Sequence, residues 1–169
     1  MKHIISVLLE NESGALSRVS GLFSARGYNI ESLTVAPTND ETLSRMTIVT
    51  VGDDRKIDQI MKQLNKLVDV AALQDITVDQ HLEREIVLVK VELDGGADQK
   101  AELERVVEAF NASLSEISAR VFIIEMSGSN EKVDELLKAL ANLSLLEVVR
   151  SGSIGLVSGS QALEVCSIV

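Results

Sequence analysis

Apolar residues run almost unbroken through residues 3–10, HIISVLLE, and then the spacing changes, with Leu16, Val19, Leu22 and Phe23 recurring at three and four. The first pattern, short and β-branched, predicts a buried strand; the second predicts a helix with one apolar face. Gly27 stands where such a helix closes in the left-handed conformation, with Tyr28 placed to fold back on it. Residues 30–36 (IESLTVA) and 43–51 (LSRMTIVTV) predict two strands around a polar turn that holds the chain's only proline, Pro37. A second helix follows, with Asp53 or Asp54 as its cap and Ile57, Ile60, Met61, Leu64 and Leu67 as its stripe. Residues 70–78 (VAALQDITV) supply a fourth strand. The order strand, helix, strand, strand, helix, strand is the split βαβ, or ferredoxin-like, plan.

After the polar stretch DQHLER the pattern starts again. Residues 85–93 predict a strand, and Leu103, Val106, Val107 and Phe110 a helix face. Residues 113–118 and 121–126 predict a strand pair. A helix capped by Asn130, with Val133, Leu136, Leu137 and Leu140 as its stripe, leads to a closing strand at 145–150. The periodicities repeat although the residues do not. The expected fold class is therefore α+β, two tandem ferredoxin-like βαββαβ domains. They occupy residues 1–78 and 85–151, with a linker at 79–84 and a C-terminal tail at 152–169 to which the pattern gives no place.

Composition narrows the partners. Aromatic residues are 2% of the chain, so the core must be built from Val, Ile, Leu and Ala, and surfaces for stacking bases are scarce. The net charge is −10, with no basic run to follow a phosphate backbone, which argues against nucleic acid. No segment approaches the roughly 20 apolar residues of a membrane span, and the N-terminus lacks the small-residue cleavage site of a signal peptide. The single cysteine, Cys166, precludes an intrachain disulfide and suits a reducing compartment, so a cytoplasmic location without membrane attachment is expected. Cys166 itself reads as an inert tail residue.

Catalytic chemistry has little support. There is no nucleophile elbow, phosphate loop, dinucleotide fingerprint or Cys/His cluster with metal spacing. His3 and His81 are read as solvent-facing, and the acidic residues as a solvated surface. The loop Asn11-Glu-Ser-Gly14 is more informative. At a strand-to-helix junction the first backbone N–H groups lack partners, and with the helix dipole they attract an anion such as a carboxylate. Gly14 would let a ligand approach the backbone. In the alternative, Asn11 or Ser13 caps the helix and Gly14 merely eases the turn. Asn29, just before the second strand, is expected to bring an amide near the same end of the sheet.

The continuous segment LLENESGALSRVSGLFSARGYNIESLTVAPT, followed by LSRMTIVTVGDD, resembles the small regulatory subunit of acetohydroxyacid synthase (acetolactate synthase), whose N-terminal ACT domain is a ferredoxin-like module that binds amino acids. The similarity continues through KQLNKLVDV, EREIVLVKV and RSGSIGLVSG, while residues 94–144 agree in pattern rather than identity. A generic ACT loop carries Asp-x-Pro-Gly; Asn-Glu-Ser-Gly departs from it in the manner of this family. The resemblance implies a non-catalytic homodimer that activates a catalytic large subunit and makes it sensitive to feedback by a branched-chain amino acid, usually valine. It implies no cofactor in this chain, with thiamine diphosphate, magnesium and FAD carried by the large subunit. It further implies that the effector carboxylate sits near Gly14, Ala15 and Leu16, that Asn11 and Asn29 fix its polar end, and that Ile30 walls its side chain. In a 4-1-3-2 sheet the second strand is an edge, through which two copies can pair. An ACT-type sensor of another enzyme or of transcription is the alternative.

Overall fold

The computed structural model describes residues 1–94, 96–160 and 162–165. They divide into two compact units: Met1–Leu82 together with the described residues from Ser153 on, and Glu83–Gly152. The first unit contains β1 (Lys2–Glu10), α1 (Ala15–Ala25), β2 (Ser32–Pro37), β3 (Leu43–Val51), α2 (Asp54–Leu64) and β4 (Val70–Asp75). Its antiparallel sheet has the order β2-β3-β1-β4, the expected ferredoxin-like arrangement, with β2 at one edge. The register runs from Lys2 opposite Val51 to Glu10 opposite Leu43. Ile5, Val7 and Leu9 of β1 pack with Met46 and Ile48 of β3 against both helices. Their period of two presents one apolar face.

Within α1 the buried row is Ala15, Val19 and Phe23, while Leu16 is 39% exposed. The three-and-four spacing places Leu16 on the apolar face, but the sheet covers the row beginning one residue earlier, so Leu16 turns outward. The helix closes as expected: Gly27 has φ +64°, the Tyr28 N–H donates to the Phe23 carbonyl at 2.9 Å, and the two rings meet edge to face with centroids 6.0 Å apart. The Asp53 carboxylate caps α2 by accepting the Lys56 N–H at 2.7 Å. Pro37 ends β2 rather than lying in the turn; the last position of an edge strand needs no amide hydrogen.

His3 corrects an expectation. It is buried, with Nδ1 2.9 Å from Asp75 Oδ2, because β1 is flanked on both sides and its side chains are covered up to the strand's start. His81 is half-buried, with Nδ1 2.8 Å from the Asp79 carbonyl oxygen.

The second unit repeats the plan with β5 (His81–Glu92), α3 (Gly96–Phe110), β6 (Ser113–Glu116), β7 (Val121–Gly128), α4 (Asn130–Ala139) and β8 (Ser144–Arg150), the strands ordered β6-β7-β5-β8. Val87, Val89 and Val91 pack with Leu103, Phe122, Ile124 and Leu136 in its core. Strand β5 begins within the stretch read as a polar connection. The cap of α4 is Ser129, whose hydroxyl accepts the Lys132 N–H at 3.4 Å; Asn130 is the first helical residue, one position too late to cap. Glu85 is buried against Arg150 at 2.6 Å, and Asp69 in the first unit is buried as well, so these two acids are not part of a solvated surface.

The tail contributes β9 (Ile154–Val157) to the first unit, where Val157 packs against Ile4, Val49 and Ile76 on the sheet face away from the helices. The Ser158 N–H donates to the Gln80 carbonyl at 2.7 Å. Cys166 lies outside the described residues.

Candidate functional site

At the end of β1 the chain leaves the sheet with two anchors. The Asn11 N–H donates to the Thr42 carbonyl at 2.8 Å, and the Asn11 side-chain amide donates to the Glu41 carbonyl at 3.1 Å. Asn11 therefore ties the loop to the start of β3 and does not cap α1. Nor does Ser13: the N-cap is Gly14, at φ +88°, and no side-chain oxygen reaches the first turn. Both α2 and α4 have side-chain caps. The Ala15 N–H turns to the Glu12 carbonyl at 3.3 Å and the Arg18 N–H to the Gly14 carbonyl at 2.9 Å, which leaves the Leu16 and Ser17 amides to meet an acceptor from outside.

Beside this turn lies an open groove of about 240 Å³. Its floor and one wall come from Leu9, Ala15 and Leu16, and its other wall from Val35, Ala36 and Pro37 at the end of β2. Asn11, Glu12 and Glu10 line its rim. The outward turn of Leu16 is what makes the groove apolar. An uncapped helix start, two carboxylates and aliphatic walls border one groove; a small zwitterion with an aliphatic side chain matches that set of groups.

Of the six predicted site residues, Asn11, Ala15 and Leu16 line the groove and Gly14 forms the adjoining turn. Asn29 and Ile30 lie elsewhere. The Asn29 carbonyl accepts the Thr50 hydroxyl at 2.6 Å, and its side-chain amide donates to Glu31 at 2.5 Å. Thr50 pairs with His3 and Leu43 with Glu10, so Asn29 and Asn11 sit at opposite ends of the sheet, roughly 24 Å apart at about 3.4 Å per residue. The expectation that both share one end of the sheet within one chain is thus corrected. The chain descends along α1 after the loop and enters β2 from the far end. Ile30 is half-buried against the core cluster.

Arg18 also stands at this turn, its guanidinium beside Gly14. Its guanidinium grips the Asp69 carboxylate twice, Nε to Oδ2 and Nη2 to Oδ1, each at 2.5 Å. That hydrogen bonding holds the Asp69 carboxyl below the usual carboxylate range and raises the Arg18 guanidinium. In the sequence Arg18 is one charge on a polar helix face, and its partner stands 51 residues away; no local signal pairs them. Among the described residues no three His, Cys, Asp or Glu side chains gather as metal ligands.

Comparisons with known proteins bear on the whole chain. A family model described as "AHAS small subunit-like ACT domain" matches residues 5–72, and one described as "Small subunit of acetolactate synthase" matches residues 84–159. The chain is 50% identical over 162 residues to the acetolactate synthase isozyme 3 small subunit of Salmonella typhimurium, covering 95% of this chain and 98% of that protein. It is 51% identical over 162 residues to the acetolactate synthase small subunit of Haemophilus influenzae, with the same coverage of both chains. The solved structure of the acetolactate synthase small subunit from Thermotoga maritima superposes with a TM-score of 0.87 at 33% identity, covering 95% of this chain and 99% of that one.

Proposed function

The chain belongs to the acetolactate synthase small-subunit family, and from that premise we propose that it activates a catalytic large subunit and makes it responsive to feedback by valine. The observation that carries this reading is the groove beside edge strand β2, set against a helix start with no side-chain cap. In this reading the effector's carboxylate lies on the Leu16 and Ser17 amides, its ammonium faces Glu10 and Glu12, and its isopropyl group rests on Leu16 and Val35. Thiamine diphosphate, magnesium and FAD belong to the large subunit.

The groove is open along β2, the edge strand of its sheet. Two copies joined by antiparallel β2 pairing about a twofold axis set the start of one β2 beside the end of the other. The partner's Asn29 and the partner's Ile30 then close the groove formed by Asn11, Leu16 and Val35. Residues that stand at opposite ends of one sheet thereby meet across the pair. Effector binding favours the dimer geometry that completes the groove, and a differential affinity of about 1–3 kcal/mol between two geometries is the usual size of such coupling. One methylene in an apolar pocket is worth roughly 1–3 kcal/mol, so leucine and isoleucine compete with valine only modestly worse.

Calorimetric titration of the full chain with valine, leucine and isoleucine, alongside acetolactate formation by the large subunit with and without the chain, tests the proposal. The expected result is saturable valine binding, stimulation of the large subunit, and inhibition of the complex at the concentrations that saturate the chain. Absence of branched-chain binding together with an unaltered large-subunit rate would overturn it.

A further inference from the structure

We propose that Arg18, locked by Asp69, positions the effector's acid group at the start of α1. The inference rests on the reading that the groove takes an α-amino acid. Arg18 lies one turn into the helix, its N–H bonded to the Gly14 carbonyl at 2.9 Å, and a helical side chain covers the turn before its own Cα. Its guanidinium does so here: a Cβ added at Gly14 would come within 3.0 Å of Nη1 and 3.7 Å of Cζ. Glycine at position 14 thus has a second cause beside its φ of +88°, since it leaves the space in which the guanidinium rests.

The lock comes from the other side. The Asp69 side chain is 5% exposed, and the Asp69 carbonyl accepts the Glu10 N–H at 2.8 Å, so the acid is fixed to the end of β1. A buried carboxylate without its partner is strongly disfavoured, and the two-pronged contact fixes the plane of the guanidinium as well as its position. Nε and Nη2 are committed to Asp69, while Nη1 has no acceptor among the described residues and lies over the first turn of α1. An incoming carboxylate finds the helix amides and a cation already in place, and neither has to be ordered at the moment of binding. Glu12 is the other charged group that acts on Arg18, and it lines the groove rim. In this placement the acid faces Arg18 and the start of α1, and Glu10 and Glu12 remain for the ammonium.

The test is calorimetry of the full chain with valine and with valinamide, which lacks the acid. Arg18→Gln with Asp69→Asn removes both charges and keeps a hydrogen-bonding pair, so no buried acid is left alone; Arg18→Lys keeps the charge and loses the fork. Valine is expected to bind the double variant at least about tenfold more weakly, as suits the loss of one charged hydrogen bond, with Arg18→Lys between it and the unaltered chain and valinamide affinity unchanged throughout. Wild-type valine affinity in the double variant overturns the role of Arg18 alone. Equal loss of valine and valinamide reduces Arg18 to a structural strut and also overturns it. Failure of the unaltered chain to bind any branched-chain amino acid removes the effector reading itself, and this inference with it.

Discussion

In the first unit, the corner where the opening strand meets its helix is a groove walled by Leu16 and Val35; in the second, the same corner is spanned by the chain's own charges. There Arg120 donates through Nη2 to Asp94 at 2.6 Å and through Nε to the Leu93 carbonyl at 3.2 Å. Lys100 reaches Glu116 at 3.2 Å and lies over the Phe122 ring, 5.4 Å from its centroid. The cleft is larger, about 440 Å³, yet its cations already hold acids and an aromatic face. The two units share a strand order, β2-β3-β1-β4 and β6-β7-β5-β8, so the topology provides a corner in both. Side chains decide whether the corner stays an open groove or pairs with itself.

The comparison breaks most visibly in the cores. Phe23→Ala and Phe122→Ala each empty a fully buried ring position, and each is expected to lower unfolding free energy by about 3–5 kcal/mol in urea titrations. Of the two, Phe23→Ala alone is expected to weaken valine binding, because it loosens the helix that floors the groove. Equal weakening by Phe122→Ala would mean that the second unit shares the site.

At the loop itself, Gly14→Asp sets an acid where the proposed effector's acid would lie and within reach of Arg18. Two charged hydrogen bonds, each worth about 1.5–3 kcal/mol, are then denied to the ligand. The half-inhibitory valine concentration of the reconstituted enzyme should rise at least about 100-fold, while Asp94→Asn at the corresponding corner leaves it unchanged. Inhibition surviving in Gly14→Asp at the wild-type concentration would remove the loop from the site.

Leu16→Ala against Leu103→Ala is a finer probe. Leu103 is fully buried, and its truncation should cost about 2–5 kcal/mol of stability. Leu16 is turned to the groove, so its truncation should change stability by less than about 0.5 kcal/mol and raise the valine dissociation constant about tenfold, the scale of an apolar pocket contact.

Acid provides the mildest test. Burial pushes the Asp75 carboxyl up, but hydrogen bonds from Thr77 and the contact with His3 outweigh it, and Asp75, like Asp69, sits below its ordinary value. A depressed carboxyl stabilises the fold fully above its unfolded pKa of about 3.9 and loses that contribution as the pH falls through the lower folded value. Urea midpoints should therefore stay level down to about pH 4.5 and decline below about pH 4, and Asp75→Asn should make the decline shallower. An unchanged acid limb in Asp75→Asn would assign the decline to other groups.

Much of this architecture is legible along the chain because it is local. The period of two in residues 3–10, the three-and-four spacing of Val19 and Phe23, and the Gly27-Tyr28 closure each rest on neighbours within one or two turns, and each forms as the spacing requires. The loop Asn11–Gly14 was legible for the same reason. What the pattern misassigns involves partners distant in sequence. His3 is buried by strands that arrive later; Asp69 and Glu85 are drawn inside by arginines 51 and 65 residues away; Leu16 is turned out because the sheet covers the adjacent row.

The order of elements, the repeated βαββαβ plan and a glycine at the start of the first helix can be read along the chain, since backbone propensity and hydrophobic period act over short separations. That Asn11 and Asn29 stand at opposite ends of one sheet, that Arg18 lies over Gly14 on a buried acid, and that the tail packs back on Ile4, Val49 and Ile76 emerges when the chain is folded. Those facts depend on which strands lie side by side and which charges burial forces together, and a one-dimensional pattern carries neither.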